Sequence, residues 1–361
     1  MRKGLAAAGV VAMIAAGSAA CGTAAASSPD TKVKNAFEKL NGEKSLTLGV
    51  RFDASADQIY TALQGEEDFT KETAKTLADL RVAVALSADK AFKDLKDGDK
   101  SSFAFQLGAD GSGKKSLVDV RAVNDKVYLR LDLKGFETLI GSSSKDAAQL
   151  NEFLGMADEL PASLASVKSA LKGDWISLDL KSFESFAKSM SKDGDSPLGA
   201  LPDTSKGLDA KTQQQVVDAL RKALVNNAKF KELGNHDGAD HVEVTVPARQ
   251  VAKELEGSLG SLTRQIPDFK PSDLEKVPNK TVAVDVAVKG GKLAGISLDV
   301  AQFDTKAKGK LPLVVDVNGG ADPVGAPSGA KVLNPQDLMG LFMFAFGHGD
   351  DSSADDSGLE S

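Results

Sequence analysis

Apolar and polar residues alternate one by one along much of this chain, the pattern of a strand with one face on a core and the other toward water. Leu46, Leu48, Val50 and Phe52 alternate with Thr47, Gly49, Arg51 and Asp53; Leu80, Val82, Val84 and Leu86 follow the same rule, as do Phe103, Phe105 and Leu107. Val118 and Val120 stand against Asp119 and Arg121, and Val127, Leu129, Leu131 and Leu133 against Tyr128, Arg130 and Asp132. Further strands are expected at Ile176–Leu180, Val242–Val246, Val282–Val288, Ile296–Val300 and Leu311–Val317, about ten in all. Each is apolar on one side, as in an antiparallel sheet covered on one face. Asp110–Gly113, Asn124-Asp125 and Gly290-Gly291 have the composition of short hairpin turns. Pro312, inside the last run, marks that strand as an edge.

Helical spacing falls between groups of strands. Lys211–Asn226 places Val216, Val217, Leu220, Leu224 and Val225 on one stripe. Pro247 opens a second helix with Val251, Leu255, Leu259 and Leu262 inward, and residues 145–172 read as a helical pair broken at Pro161. A local repeat runs from Tyr128 to Glu137 and again from Trp175 to Glu184, each copy a strand leading into a short helix anchored by Phe136 or Phe183. Tyr128 and Trp175 should then share one sheet face, opposite Leu131 and Leu178. The fold class is α+β: one strongly curved antiparallel sheet crossed by helices.

The amino terminus has a different character. Arg2 and Lys3 precede an apolar run from Leu5 to Ala16, and Ser18-Ala19-Ala20 supplies the small residues a signal peptidase requires, so residues 1–20 read as an export signal. Cys21, the single cysteine, follows directly and precedes Gly22. This resembles the lipobox of bacterial lipoproteins, in which the cysteine receives a diacylglyceryl thioether and becomes the acylated terminus. Ser18 stands where the lipobox prefers Leu, Val or Ile, and the same three residues suit ordinary signal peptidase, which would yield a soluble secreted product. Residues 21–35 read as lipidated cysteine and flexible tether, and residues 347–361 as a disordered acidic tail.

The stretches VYLRLDLKGFETL, GDWISLDLKSFESF, HVEVTVPARQVAKEL, VAVDVAVKGGKLAGISLDV, LPLVVDV and PVGAPSGAKVL resemble the LolA/LppX-type bacterial lipoproteins, over most of residues 36–346. The resemblance implies a half-barrel sheet with helices packed on its concave side and an apolar cavity, in proteins that carry lipids, lipidated proteins or glycolipids. This chain is longer than the compact members, which points to a helical insertion within 140–235.

Composition narrows the function. There are 44 basic and 51 acidic side chains for a net charge of −7, and loss of Arg2 and Lys3 with the signal takes it to −9. Nucleic acid is therefore not an expected partner, since phosphate binding needs a basic face. One cysteine excludes an internal disulfide framework and any multi-cysteine metal site. Gly108–Lys115 nearly fits a phosphate-binding loop, but Lys115 replaces the hydroxyl residue and a strand follows instead of a helix. His236, Asp237, Asp240 and His241 have metal-ligand chemistry, against a polar hairpin entrance with Asp237-Gly238 as its turn. Asp350, Asp351, Asp355 and Asp356 lack the fixed spacing of a calcium loop. Asp132 and Asp179 are carboxylates on polar strand faces with Lys neighbours, a solvated pattern that a paired-carboxylate site would share. No cofactor, no metal and no enzymatic activity are expected.

Leu338–Phe346 is the most apolar stretch after the signal, too short to span a bilayer, with Asn334-Pro335 as cap and first turn. A helix apolar on nearly every side must be buried nearly all round. Two roles are open: a terminal helix plugging the sheet, or a cavity wall or lid in which Leu338, Leu341, Phe342, Met343 and Phe346 touch a ligand. The expected function is that of a monomeric lipoprotein, anchored through Cys21 and facing outward, that binds a hydrophobic ligand; the alternative is a non-catalytic envelope protein that binds another protein.

Overall fold

Strands form wherever the period of two is sustained, and helices fill the gaps. The computed structural model describes residues 28–347, apart from 97, 110–115, 141–144, 180, 184, 187–221, 223–225, 260–276, 278 and 304–305. The signal, Cys21, the Asp110–Gly113 turn and the acidic tail beyond Gly347 lie outside the described residues, as does nearly all of the Lys211–Asn226 helix. The chain divides into two compact units. The first comprises residues up to Phe103, Ala109–Gly111 and Asp203–Val324; the second comprises Ala104–Gly108, Ser112–Pro202 and Gly325–Ser361.

In the first unit, β1 (Ser45–Phe52), β2 (Leu80–Ala88), β7 (Lys229–His236), β8 (Ala239–Pro247), β9 (Thr281–Lys289), β10 (Lys292–Asp299) and β11 (Pro312–Gly319) lie in the order β2-β1-β11-β10-β9-β8-β7. Every one of these pairings is antiparallel. Helix α1 (Pro29–Asn41) lays Val33, Ala36, Phe37 and Leu40, spaced i, i+3, i+4 and i+7, on the buried side chains of β8 to β11. These include Val242, Val286, Leu298 and Val315, all 4% exposed or less. Full burial of side chains of this size stabilises by roughly 1.5–3 kcal/mol each. The helix starts at Pro29, so the tether expected as far as residue 35 ends there instead: Val33 already belongs to the core.

A smaller cluster lies under α2 (Ala56–Leu63) and α3 (Lys71–Asp79), where Ile59, Ala62 and Ala74 meet Ala301 and Leu311. Neither helix shows in the apolar periodicity, yet both begin on a readable signal. The Ser55 hydroxyl accepts from Gln58 N–H while the Gln58 side chain accepts from Ser55 N–H, a reciprocal cap, and Thr70 accepts from Thr73 N–H.

Two sequence expectations in this unit are corrected. Strand β11 is interior, between β1 and β10, rather than an edge: Pro312 is its first residue, where a missing N–H removes no ladder bond. Pro247 closes β8, and α7 (Ala248–Leu259) opens one residue later. Of its expected inward residues, Val251 packs on the core, while the side chains of Leu255, Leu259 and Leu262 lie outside the described residues. The expected hairpin turn at Asp237-Gly238 is present, with φ of 54° and 78°, and β7 before it is a strand beyond the expected set.

The second unit holds β4 (Val118–Val123), β5 (Lys126–Leu131), β6 (Ile176–Asp179), β12 (Lys331–Val332) and Ala104–Gly108 of β3 (Ser101–Ala109), in the order β12-β6-β5-β4-β3. The β12–β6 pairing is parallel, while β4–β5 and β5–β6 are antiparallel. Helices α4 (Leu133–Ile140), α5 (Lys145–Glu159), α6 (Ala165–Leu171) and α8 (Pro335–Gly347) complete it. The helical pair breaks at Pro161 as expected, through one short turn at Ala162–Leu164. Leu133 belongs to α4, not to the strand before it. Gly135 is required by close approach: a Cβ there would meet Leu117 Cδ2 at 2.6 Å.

Register settles the repeat. Tyr128 lies opposite both Arg121 and Ser177, and Trp175 alternates with Ser177 onto that face, while Leu178 faces Val127 and Leu131 faces Val118 on the other. Together the described residues form an α+β fold with twelve strands, mostly antiparallel.

Candidate functional site

Apolar strand faces extend beyond the helices that cover them. In the first unit, Leu46, Leu48 and Val50 of β1 point to the core face and pack against its edge while staying partly exposed. Directly opposite them on β2 are Leu86, Val84 and Val82. These three belong to none of the buried clusters among the described residues; Val82 and Val84 are half-buried, and Leu86 is 38% exposed. A nearby shallow cavity of about 170 Å³ is lined by Leu40, Glu43, Lys292, Leu293 and Val317, with Lys292 Nζ 2.8 Å from Glu43 Oε1. It is below the roughly 300–1,000 Å³ of small-molecule sites.

The second unit repeats the situation. Gln106 donates to Asp119 at 2.9 Å, so Gln106 and Asp119 share a face and Phe105, Leu107, Val118 and Val120 share the other. All four are only partly buried. The buried cluster of this unit is small, Leu160, Leu164, Val167, Ile176 and Leu333, with Leu129 and Leu178 beneath it.

Helix α8 joins that cluster. Leu338 and Leu341 pack against it, Gly340 comes so near that a Cβ would meet Leu164 Cδ2 at 2.9 Å, and Ser166 Oγ donates to Asp337 Oδ2 at 2.8 Å. Met343 is 65% exposed, so the helix is not buried all round as its composition predicts; a short helix on a surface has one side left over. The side chains of Phe342 and Phe346 lie outside the described residues, and so does Cys21.

The polar candidates resolve into structural roles. His241 Nδ1 lies 2.9 Å from Asp285 Oδ2, and the His236 ring is 5.6 Å from that of His241, at the entrance to the β7–β8 hairpin. Among the described residues no group of three or more His, Cys, Asp or Glu side chains is placed to hold a metal ion. Asp132 and Asp179, the latter still the last residue of β6, also cap the helical segments that follow: Asp132 Oδ1 accepts from Gly135 N–H at 3.1 Å and Asp179 Oδ1 from Ser182 N–H at 3.0 Å. The Ser182 N–H, the main cause, holds the Asp179 carboxyl below its usual range. The pattern Asp-Leu-Lys-x before each Phe-Glu was the available sign of a cap.

A polar network on the other face of the second unit's strands is not legible in the sequence. Asp119 is completely buried, accepts from Arg121 Nε at 3.3 Å and Nη2 at 3.2 Å, and lies 3.7 Å from Arg130 Nη2. Both guanidinium groups sit over the Trp175 ring, at 4.8 and 5.0 Å from its centroid.

No family model matches the chain, and no curated protein matches it. Among solved structures it is similar to the lipoprotein LppX of Mycobacterium tuberculosis, at 13% identity and a TM-score of 0.32, covering 83% of this chain and all of that one. It is also similar to LprF of Mycobacterium bovis, at 12% identity and a TM-score of 0.30, covering 84% and 98%. Likeness at this level carries no inference about function.

Proposed function

We propose that this protein is an extracytoplasmic lipoprotein, held on a membrane through a lipid on Cys21, that binds a hydrophobic molecule against its apolar sheet faces without catalysing a reaction. The observation that carries this reading is the half-exposed row of Val82, Val84 and Leu86 on β2, continuous with Leu46, Leu48 and Val50 on β1. A row of this kind on a folded chain marks a surface that meets something apolar. Covering about 300 Å² of it is worth roughly 7–8 kcal/mol gross by area, before ordering costs are subtracted. Such binding needs no catalytic group, only apolar surface and access. No helix among the described residues is long and apolar enough to cross a membrane, and in this reading the acyl chains on Cys21 provide attachment.

The test is purification of the protein from its source membrane, followed by mass spectrometry of the extracted lipids. Wild type should carry a lipid at near one per chain. Val84→Asp, which sets a charge in the middle of the row, should retain at least about tenfold less, a loss of 1.4 kcal/mol or more. Wild-type protein that comes off the membrane without lipid overturns the reading.

Edge strand β7 favours a second reading. It is exposed along its whole length, pairs with β8 alone among the described strands, and leaves Phe230 and Leu233 36% exposed, so a strand of an envelope protein would find a free edge there. Lys229, Lys231 and the bulge between Glu232 and Gly234 blunt that edge, which puts this reading second. A protein cross-linked at β7, with no lipid recovered, would place it first.

A further inference from the structure

The polar face of the second unit's sheet holds more cationic hydrogen-bonding capacity than its own carboxylate can use. Asp119 is the acceptor at the centre, and its Oδ2 already receives Gln106 Nε2 at 2.9 Å and Arg121 Nη2 at 3.2 Å. Arg121 is thereby neutralised, and its Nη1 donates to the Gly325 carbonyl at 3.2 Å. Arg130 is not matched in the same way. Its Nη2 donates to Ser116 Oγ at 3.2 Å and reaches the crowded Asp119 Oδ2 only at 3.7 Å. A guanidinium carries five N–H donors in one plane, and among the described residues those two contacts occupy only one nitrogen of Arg130.

Trp175 keeps these groups in place. Both guanidinium carbons lie over its ring, within 5.0 Å of the centroid. Stacking of this kind leaves the in-plane N–H edges free to donate. The arginine side chains are 27% and 26% exposed, so neither is sealed from solvent. Tyr128, directly opposite Arg121 in the β4–β5 ladder, adds a phenol to the same face. Two cations, one buried carboxylate and an aromatic floor make a preorganised receptor for one further negative charge. Asp174, next to Trp175 in the chain, is engaged by Lys331 Nζ at 3.4 Å.

We infer that Arg130 and Arg121, seated on Trp175, form a binding site for a phosphate-class anion, either free or as the headgroup of an acidic phospholipid. Planar guanidinium forks match tetrahedral oxyanions in a way that a point-like ammonium does not. The site is independent of the apolar rows proposed above, since Arg130 and Trp175 lie on the opposite sheet face from Phe105, Leu107, Val118 and Val120.

Trp175 is the single tryptophan of the chain and reports directly on its two cations. The full-length protein is titrated with sodium phosphate against sodium chloride at equal ionic strength, and separately with vesicles of phosphatidylglycerol or of phosphatidylcholine, while tryptophan emission is read. A saturable change with phosphate, absent with chloride, supports the site with a free anion as ligand. A change with phosphatidylglycerol alone supports it with a headgroup as ligand. Arg130→Gln should weaken the response at least about tenfold, the loss of a charge-assisted pair, and Arg130→Lys, which keeps charge but not the fork, should lie between. Emission indifferent to phosphate and to phosphatidylglycerol overturns the proposal in wild-type protein alone, whatever the variants do. So does a response of equal strength in a folded Arg130→Gln.

Discussion

Two guanidinium groups converge on the Asp119 carboxylate, which is fully buried while they are about a quarter exposed. Removing the carboxylate leaves two partly exposed charges without their buried counter-charge. Breaking a fully buried pair costs 3–5 kcal/mol, and partial solvation of the arginines brings Asp119→Ala to about 2–4 kcal/mol in denaturant unfolding. Asp132 works locally: Asp132→Ala removes a helix cap and should cost about 1 kcal/mol, with Asp132→Asn restoring most of it. Asp179 adds a pH signature. Its folded-state pKa is lowered below 3.8, so its stabilisation is complete above that value and is lost as the pH falls through the lower folded value. The acid limb of a stability–pH curve should flatten in Asp179→Asn; an unchanged limb would mean that the cap does not hold in solution. The sign of those caps, Asp-Leu-Lys-x, stands in both copies of the repeat, but alternation alone assigns the two carboxylates to polar strand faces. The burial of Asp119 was not legible, because period-two alternation reports which face a residue takes and not what covers that face.

Helix α8 separates the two roles that its composition allows. Leu338 and Leu341, both partly buried, pack against the small buried cluster that holds Leu160 and Leu164, and Gly340 lets the helix approach Leu164 closely. Deleting 336–361 should therefore abolish cooperative unfolding of the second unit with or without ligand, while deleting 350–361 should leave the transition in place. Full burial of two leucines would be worth roughly 3–6 kcal/mol by area, and even the partial burial seen here is a sizeable share of what a small unit has to spare. Met343, 65% exposed, is the position to test for ligand contact: Met343→Gln should leave the melting temperature unchanged and lower lipid retention if the exposed side of α8 meets the ligand. A deletion that alters neither unfolding nor retention would remove α8 from both roles. The helix itself was readable from Asn334-Pro335 and the apolar run. Its exposed side was not, since a helix apolar all round does not say which side its neighbours leave uncovered.

At the scale of the molecule, attachment and architecture have different sources. Cys21→Ser should move the protein from membrane to medium and abolish fatty-acid labelling; wild-type protein that is already soluble and unlabelled would overturn the lipid anchor. That expectation rests wholly on the order Ser18-Ala19-Ala20-Cys21, a covalent signal that needs no fold around it. Strand identity is local in the same sense: side chains alternate at a period of two whatever the strand pairs with, so the sequence by itself determined most strands, their apolar faces, and the shared face of Tyr128 and Trp175. Neighbour order is not local. Pro312 reads as an edge signal, yet β11 lies between β1 and β10 because the proline occupies the first position, where no ladder bond is lost. β7, exposed on both faces, carries no alternation to read, and β12 is two residues long; both exist only through the strands they pair with. Only the tertiary structure decided that Val82, Val84 and Leu86 stay half-open and that Gln106, Arg121, Arg130 and Trp175 close over Asp119. Coverage depends on side chains delivered from distant parts of the chain, and nothing in the spacing of one strand encodes them.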